Sequence, residues 1–361
     1  MTQTVLVIGG NGRIGRSVAA DVVAYTDAEV IVTGRRENAA FELAERQRYQ
    51  QLLLSHESAV ENAIAQADLI IHCAGPFRNR NHHVLETCIA QKKPYLDVAD
   101  SPDYVNKALK LREAAKENGV TAVISTGIFP GISGSMVRQG IEQLDEAKSV
   151  HLSYLVAGSG GAGVTVMRTT FIELQTPFMS KIKGKWRAIS PYSEREVLEF
   201  PRYGKGGVYW FNTVEALTFA DAFPALETIV TKFGSVPDYY NRLTWLMARA
   251  PRAFLKRNFV IEALSRISYR MTEFTDPYTG VGIVMRVEIN GTKDGEATQF
   301  ISTFDHDDTA YCAGCGTGAI AQLILSDRLS KPGVWAVEEA LPTPLFEETF
   351  AQRKLEINSV A

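Results

Sequence analysis

The sequence predicts an α/β fold: a doubly wound parallel sheet with an inserted α+β second domain. Three observations carry this expectation. A β-branched run near the N-terminus opens into a glycine loop and a helix pattern. Strand and helix patterns then alternate to about residue 130, and the middle of the chain switches to short alternating strands and a hairpin. The 361 residues suffice for one large α/β domain or two smaller ones. With 45% hydrophobic and 22% charged residues the chain fits none of the disordered, collagen-like or coiled-coil classes. The net charge of −3 argues against a nucleic-acid partner, which would need a basic surface. No apolar run reaches the roughly 18–20 residues of a membrane span. The N-terminus enters a strand at once, without a basic n-region or cleavage site, and four Cys do not make a disulfide scaffold. The expectation is a cytoplasmic protein in a reducing compartment.

Thr4 to Ile8 (T-V-L-V-I) is a strand buried on both faces. Gly9-Gly10-Asn11-Gly12-Arg13-Ile14-Gly15 follows, then a helix to about Tyr25. Gly10, Gly12 and Gly15 have G-x-G-x-x-G spacing between a strand and a helix, the context in which that motif carries meaning. One glycine turns the chain, one leaves room for a pyrophosphate, and one lets helix and strand pack closely. The helix N-terminus offers free N–H groups to phosphate. The next strand, Glu29 to Thr33, ends in Gly34-Arg35-Arg36. An NAD site usually has Asp or Glu here, whereas arginines suit a 2′-phosphate, so NADP(H) is expected over NAD(H). The plain alternative is a glycine-rich turn with surface arginines and no ligand.

The alternation continues. Glu57 to Ala67 is helical and leads to the strand Asp68 to Cys73, with Ala74-Gly75-Pro76-Phe77 after it, small residues that let backbone approach a cofactor. Asn81 to Gln91 is helical, Tyr95 to Asp100 a strand running into a loop, Pro102 to Glu117 helical with Gly119 as C-cap, and Thr121 to Ser125 a strand before Gly127-Ile128-Phe129-Pro130-Gly131. Functional groups are expected at the carboxyl ends of these strands. The dinucleotide-binding domain is placed at 1–132, a second α+β domain at 133–305 and a C-terminal segment at 306–361.

In the middle, Val150 to Val156 is a strand, Gly158 to Gly163 a glycine run read as a turn or an anion loop, and Val164 to Gln175 a helix. Lys181 to Pro201 reads as short basic strands, and Val281 to Asn290 with Ala297 to Phe304 as a hairpin. Residues 236–270 interleave seven Arg/Lys with aromatic and aliphatic residues, with Pro251 separating two amphipathic helices. A lid over an apolar substrate channel, peripheral contact with an anionic membrane, and an ordinary solvated face all fit. Arg168, Arg187 and Arg202 could clamp a substrate carboxylate.

Cys312-Ala-Gly-Cys315 has redox spacing and reads as a turn before a helix, although buried structural Cys is the plainer reading. No metal-ligand spacing emerges from six His. His72, ending a strand near the expected nicotinamide, is an acid–base candidate, and His82 and His83 open a helix. Asp97 and Asp100, at the end of the next strand, could hold an amine or move a proton. Asp100 or Ser101 before Pro102 also fits a helix N-cap.

Val5 to Gly15, Cys73 to Phe77, Tyr95-Leu96-Asp97 and Gly127 to Gly131 together resemble the saccharopine dehydrogenase-like family, as do Gly316 to Ala321, Lys331 to Trp335 and Glu338-Glu339 near the C-terminus. The middle is similar to an uncharacterised cyanobacterial and plant-type branch, chiefly at Gly158 to Gly163. The resemblance implies a Rossmann domain with an inserted α/β domain for substrate and dimer contacts at 133–305, 306–361 returning to the Rossmann domain, a homodimer, and hydride transfer to imine-, amino-acid- or lipid-type small molecules. An NADP(H)-dependent oxidoreductase is therefore expected. The alternative is a catalytically silent NADP(H)-binding sensor or scaffold, since fold does not fix function.

Overall fold

The computed structural model describes residues 2–158, 164–251 and 258–360. The expectations for Ser159 to Gly163 and for Arg252 to Arg257 lie outside these residues. The chain divides into two compact units, Met1–Ser135 with Ala310–Leu355, and Met136–Thr309 with Glu356–Ala361.

In the first unit β1 (Thr4–Ile8) leads through the glycine loop to α1 (Arg13–Tyr25), β2 (Glu29–Gly34), β3 (Gln47–Gln51) and α2 (Glu57–Ala65). Then follow β4 (Leu69–His72), α3 (His83–Ala90), β5 (Tyr95–Asp97), α4 (Pro102–Leu109), α5 (Arg112–Glu117) and β6 (Thr121–Ile124). The sheet is parallel, in the order β3-β2-β1-β4-β5-β6 with β15 (Gly333–Ala336) beyond β6. This is the doubly wound order, with its switch point between β1 and β4. Val5, Leu6 and Val7 are fully buried, as a continuous β-branched run in a helix-covered sheet should be.

Two expectations are refined. The helix expected from Pro102 to Glu117 is two helices. The second ends in a Schellman arrangement: Gly119 (φ 70°) donates to the Lys116 carbonyl at 3.0 Å and Val120 to the Ala115 carbonyl at 2.9 Å. The edge strand β3, Q-R-Y-Q-Q, was not expected; as an edge it keeps much of its surface in water and carries no apolar pattern.

In the second unit α6 (Ile132–Ile141) crosses in from the first and leads to β7 (Glu146–Ala157) and α7 (Val164–Glu173). The hairpin β8 (Phe178–Ile182) and β9 (Lys185–Ile189) follows, then β10 (Glu196–Phe200), β11 (Gly204–Trp210), α8 (Glu215–Ala222), β12 (Thr228–Val236), α9 (Tyr239–Ala248) and α10 (Asn258–Thr279). β13 (Gly282–Lys293), β14 (Glu296–His306) and β16 (Asn358–Val360) complete a mixed sheet in the order β10-β11-β12-β7-β13-β14-β16. The β13–β14 hairpin closes through Asp294 and Gly295, both at positive φ (53° and 80°), so the strands run further than the sequence suggested. The helices α7 and α10 pack Phe171, Leu174 and Ile261 onto the strand residues around Tyr209. Leu243, Leu246, Phe259, Ile267 and Phe274 stay exposed on α9 and α10. Among the described residues no helix is long and apolar enough to cross a membrane, and no His/Cys/Asp/Glu group could hold a metal.

The chain returns to the first unit through α11 (Thr309–Leu325), then α12 (Val337–Ala340) and α13 (Thr343–Gln352). Here the Cys312–Cys315 expectation is corrected: both lie inside α11 rather than in a turn before a helix, and both are buried. The neighbouring glycines serve packing. A Cβ on Gly314 would lie 2.7 Å from the Ser17 backbone of α1, and one on Gly316 2.8 Å from the Gly127 carbonyl oxygen. The Cys315 thiol is pushed up to about 12 by burial, not lowered by a helix end.

Candidate functional site

The switch point brings together the loops after β1 and β4. Gly9 has φ 80°, and a Cβ there would lie 2.8 Å from the Ala74 backbone. A Cβ on Gly10 would meet Val32 at 2.9 Å, and one on Gly15 would meet the Gly9 carbonyl and the Gly10 Cα. Gly12 differs: only the Gly9 carbonyl, at 3.2 Å, stands near its missing Cβ. Gly12 is also the N-cap of α1 and supplies no side-chain cap. The N–H groups of Ile14 and Gly15 in this first turn are thus left for an anion, beside a residue with no side chain to obstruct it. Arg13 and Ile14 open this first turn, with Ile14 36% exposed.

Asn11 ties this loop to the one after β2. Its backbone N–H donates to the Thr33 carbonyl at 3.0 Å, and its Oδ1 accepts from the Ala40 N–H at 2.7 Å. Gly34 lies so close to Asn11 and Tyr49 that a Cβ would come within 2.8 Å of both side chains. The Tyr49 hydroxyl donates to the Arg36 carbonyl at 2.6 Å, and Gln51 Nε2 donates to the Arg35 carbonyl at 3.0 Å. The unexpected β3 therefore fixes the backbone of both arginines while their side chains stay exposed.

After β4, Phe77 is buried against the His72 ring at 5.0 Å, edge to face. Arg80 was not expected. Its Nε donates to the Ala74 carbonyl at 2.8 Å and its Nη2 to the Gly75 carbonyl at 3.0 Å, so it holds the small-residue loop that rests on Gly9. Burial and then the charge of Arg35 lower its pKa. The only sequence signal for it is its place four residues past Pro76, in a loop already singled out.

His72, Asp97 and Asp100 separate in kind. His72 is buried, its Nδ1 lies 3.2 Å from the Tyr95 hydroxyl, and its pKa is lowered to about 3 by burial and then by Arg80, so it stands neutral. The Tyr95 hydroxyl donates to Asp97 Oδ2 at 3.0 Å and lies 3.3 Å from the Tyr104 hydroxyl. Asp97 Oδ1 accepts the Ala99 N–H at 3.0 Å and the Ser125 N–H at 2.7 Å. Asp97 thus joins the carboxyl ends of β5 and β6; burial raises its pKa to about 6 against those hydrogen bonds. Asp100 is exposed, and Ser101, the N-cap of α4, makes no side-chain cap bond. The Ser101 cap expectation is thus not met by its side chain, and Pro at the start of the helix takes up one of its orphan positions. His82 stacks on Tyr104 at 4.3 Å.

In the second unit two of the three arginines considered as carboxylate clamps already hold carboxylates. Arg168 pairs with Glu262 and Arg202 with Asp307, while Arg187 stands exposed on β9.

The loop glycines, the arginines after β2 and the sheet order decide what the first unit resembles. Residues 5–123 match the family model of the saccharopine dehydrogenase NADP binding domain. Over a longer stretch, the chain is 24% identical over 311 residues to carboxynorspermidine synthase of Vibrio cholerae, covering 78% of this chain and 74% of that protein. It is 25% identical over 115 residues to the saccharopine dehydrogenase-like oxidoreductase of Rattus norvegicus, covering 31% and 27%. The fold is shared with apo saccharopine dehydrogenase (L-Glu forming) of Saccharomyces cerevisiae, at TM-score 0.68 and 15% identity over 99% of this chain and 100% of that one. The fold likeness to C. glutamicum DAP dehydrogenase is weaker, at TM-score 0.51 and 15% identity over 98% of this chain and 99% of that one. The saccharopine dehydrogenase-type resemblance read from the sequence thus meets its family model in the first unit and its fold along the whole chain.

Proposed function

We propose that this chain is an NADP(H)-dependent oxidoreductase that moves hydride to or from the carbon–nitrogen bond of an amino-acid-derived imine or amine. The observation that carries the proposal is the side-chain-free, uncapped start of α1 at the β1/β4 switch point, flanked by arginines where an NAD site would carry an acid. The names of similar proteins support the substrate class. They include a carboxynorspermidine synthase, a saccharopine dehydrogenase, and an engineered D-amino acid dehydrogenase bound to NADP+. They favour amino-acid chemistry over the lipid-type substrates that the sequence resemblance also allowed.

The residues present fit a dinucleotide. In this reading the N–H groups of Ile14 and Gly15 hold the pyrophosphate, while the Gly12 N–H closes the turn on the Gly9 carbonyl at 2.9 Å, and Arg35 with Arg36 takes the 2′-phosphate. Ala74 to Phe77 and Ile128 to Gly131 form the wall for the nicotinamide half. When bound, the cofactor supplies or accepts the hydride. The protein's part is to bind and orient. The buried His72–Tyr95–Asp97 chain fixes the carboxyl ends of β4, β5 and β6, on which that wall is built. With His72 neutral and Asp97 engaged by two backbone donors, these groups act here as positioning residues. Asp100 is the exposed candidate for contact with a cationic nitrogen.

The test is oxidation of NADPH, followed at the nicotinamide absorbance, over a matrix of 2-oxo acids and primary amines, with the product identified by mass. Turnover with a 2-oxo acid and an amine together supports the proposal. Tight NADPH binding with no turnover across amino-acid, keto-acid and lipid panels supports the silent sensor or scaffold instead.

A further inference from the structure

We infer that Arg80, reaching from the loop after β4, is a second arm of the 2′-phosphate clamp opposite Arg35 and sets the preference for NADP(H). The inference rests on the NADP(H) reading above and adds to it a residue that lies far from the β2 end in sequence.

Three features of the geometry carry it. The sheet order puts the carboxyl ends of β2 and β4 on either side of β1, so the Arg35 and Arg80 loops flank the same glycine loop. Arg80 is built in, not loose: two of its five N–H groups are spent on the Ala74 and Gly75 carbonyls, which fixes the guanidinium while leaving three for a ligand. The loop it grips is itself pressed onto Gly9. Neither Arg35 nor Arg80 has a carboxylate within ion-pair distance among the described residues, although other arginines of this unit do, such as Arg112 with Glu339 and Arg353 with Asp21. Two guanidinium groups near enough to feel one another, one of them half-buried, repel without an anion between them. A phosphate monoester, doubly charged and rich in acceptors, relieves that repulsion and matches guanidinium geometry. The pyrophosphate has its own donors at α1, so the extra cation pair is left for a second phosphate group.

The experiment compares adenosine 2′,5′-bisphosphate with 5′-AMP, which differ only in the 2′-phosphate, by calorimetry on the full chain. Wild type, Arg80→Gln and Arg80→Lys are used, each checked for folding by thermal melting. The expected result is a loss of about tenfold or more in bisphosphate affinity for Arg80→Gln, with 5′-AMP changed by less than about threefold, as for one charged hydrogen bond. Arg80→Lys restores part of the selectivity because it keeps the charge. Equal loss for both nucleotides means that Arg80 only anchors the 74–75 backbone, and overturns the inference. So does an unchanged bisphosphate affinity, or a lysine variant no better than glutamine. If wild type itself does not prefer the bisphosphate, the NADP(H) reading fails first and takes this inference with it. If wild type prefers it and Arg80→Gln keeps that preference undiminished, only the inference falls.

Discussion

The backbone of Ala74 occupies the space that a side chain on Gly9 would need: a Cβ there would stand 2.8 Å from both the Ala74 nitrogen and its Cα. Two loops far apart in sequence are thus interlocked at the switch point, and the glycine turn after β1 cannot change shape without moving the loop that Arg80 holds.

Gly9→Ala is therefore expected to damage both loops. The φ of 80° alone costs a β-carbon about 1–2 kcal/mol, and the contact with Ala74 adds to it. The expected outcome is a lower melting temperature together with weaker binding of both NADPH and NADH. A melting temperature unchanged from wild type would show that the β4 loop yields freely. Gly12→Ala, which meets only the Gly9 carbonyl, is expected to spare stability and weaken nucleotide binding.

Asp97 gives a pH prediction. Its pKa is raised from 3.8 to about 6, so the folded state binds its proton more tightly than the unfolded chain does. The associated stability is fully present below about pH 4 and is lost as pH rises through about 6, by about 1–3 kcal/mol. Asp97→Asn keeps an oxygen for the Ser125 and Ala99 N–H groups and removes the titration. Urea unfolding at pH 4 to 7 should show that the difference in stability between wild type and this variant shifts toward the variant with rising pH. A pH-independent difference would mean that Asp97 stays ionised throughout.

Arg353 is fully buried and grips both oxygens of Asp21 through Nε and Nη2, with the closest distance 2.6 Å. Removing one partner strands the other, so Arg353→Met should destabilise by about 3–5 kcal/mol. Adding Asp21→Asn should recover part of that loss. Additive losses in the double variant, measured by denaturant unfolding, would contradict the pairing.

Cys312 and Cys315 should behave as inert thiols. Both are buried within α11, and burial pushes the Cys315 thiol up to about 12. Native protein at pH 8 should leave both unlabelled by iodoacetamide and form no bond between them under mild oxidant, as read by peptide mass mapping. Rapid labelling of Cys315 would restore the redox reading.

What the sequence made legible was local. The strand–glycine–helix run from Thr4 to Tyr25 states its own structure, because each glycine answers a demand of the turn or of the adjoining strand. The hairpin of Val281 to Asn290 with Ala297 to Phe304 was legible too, although its pairing runs on to Lys293 and Glu296. What stayed hidden depends on partners distant in sequence. β3 is an edge strand whose polar Q-R-Y-Q-Q has no pattern, yet Tyr49 and Gln51 fix the arginine loop. Arg80 acquires meaning only when β4 lies beside β1. The glycines around Cys312 and Cys315 looked like a turn because a helix seldom tolerates so many, and the reason they stand there is the close approach of α1. His72 and Asp97 were found as strand-end residues, but their shared link through Tyr95 could be seen only in three dimensions.

The most direct test of the central claim is calorimetric titration of NADPH and NADH into purified wild type and an Arg35→Ala/Arg36→Ala variant, after checking for cofactor retained from expression. Micromolar NADPH binding, much weaker NADH binding and collapse of that preference in the variant are predicted. No binding of either cofactor to wild type, or a preference that survives the loss of both arginines, would contradict it.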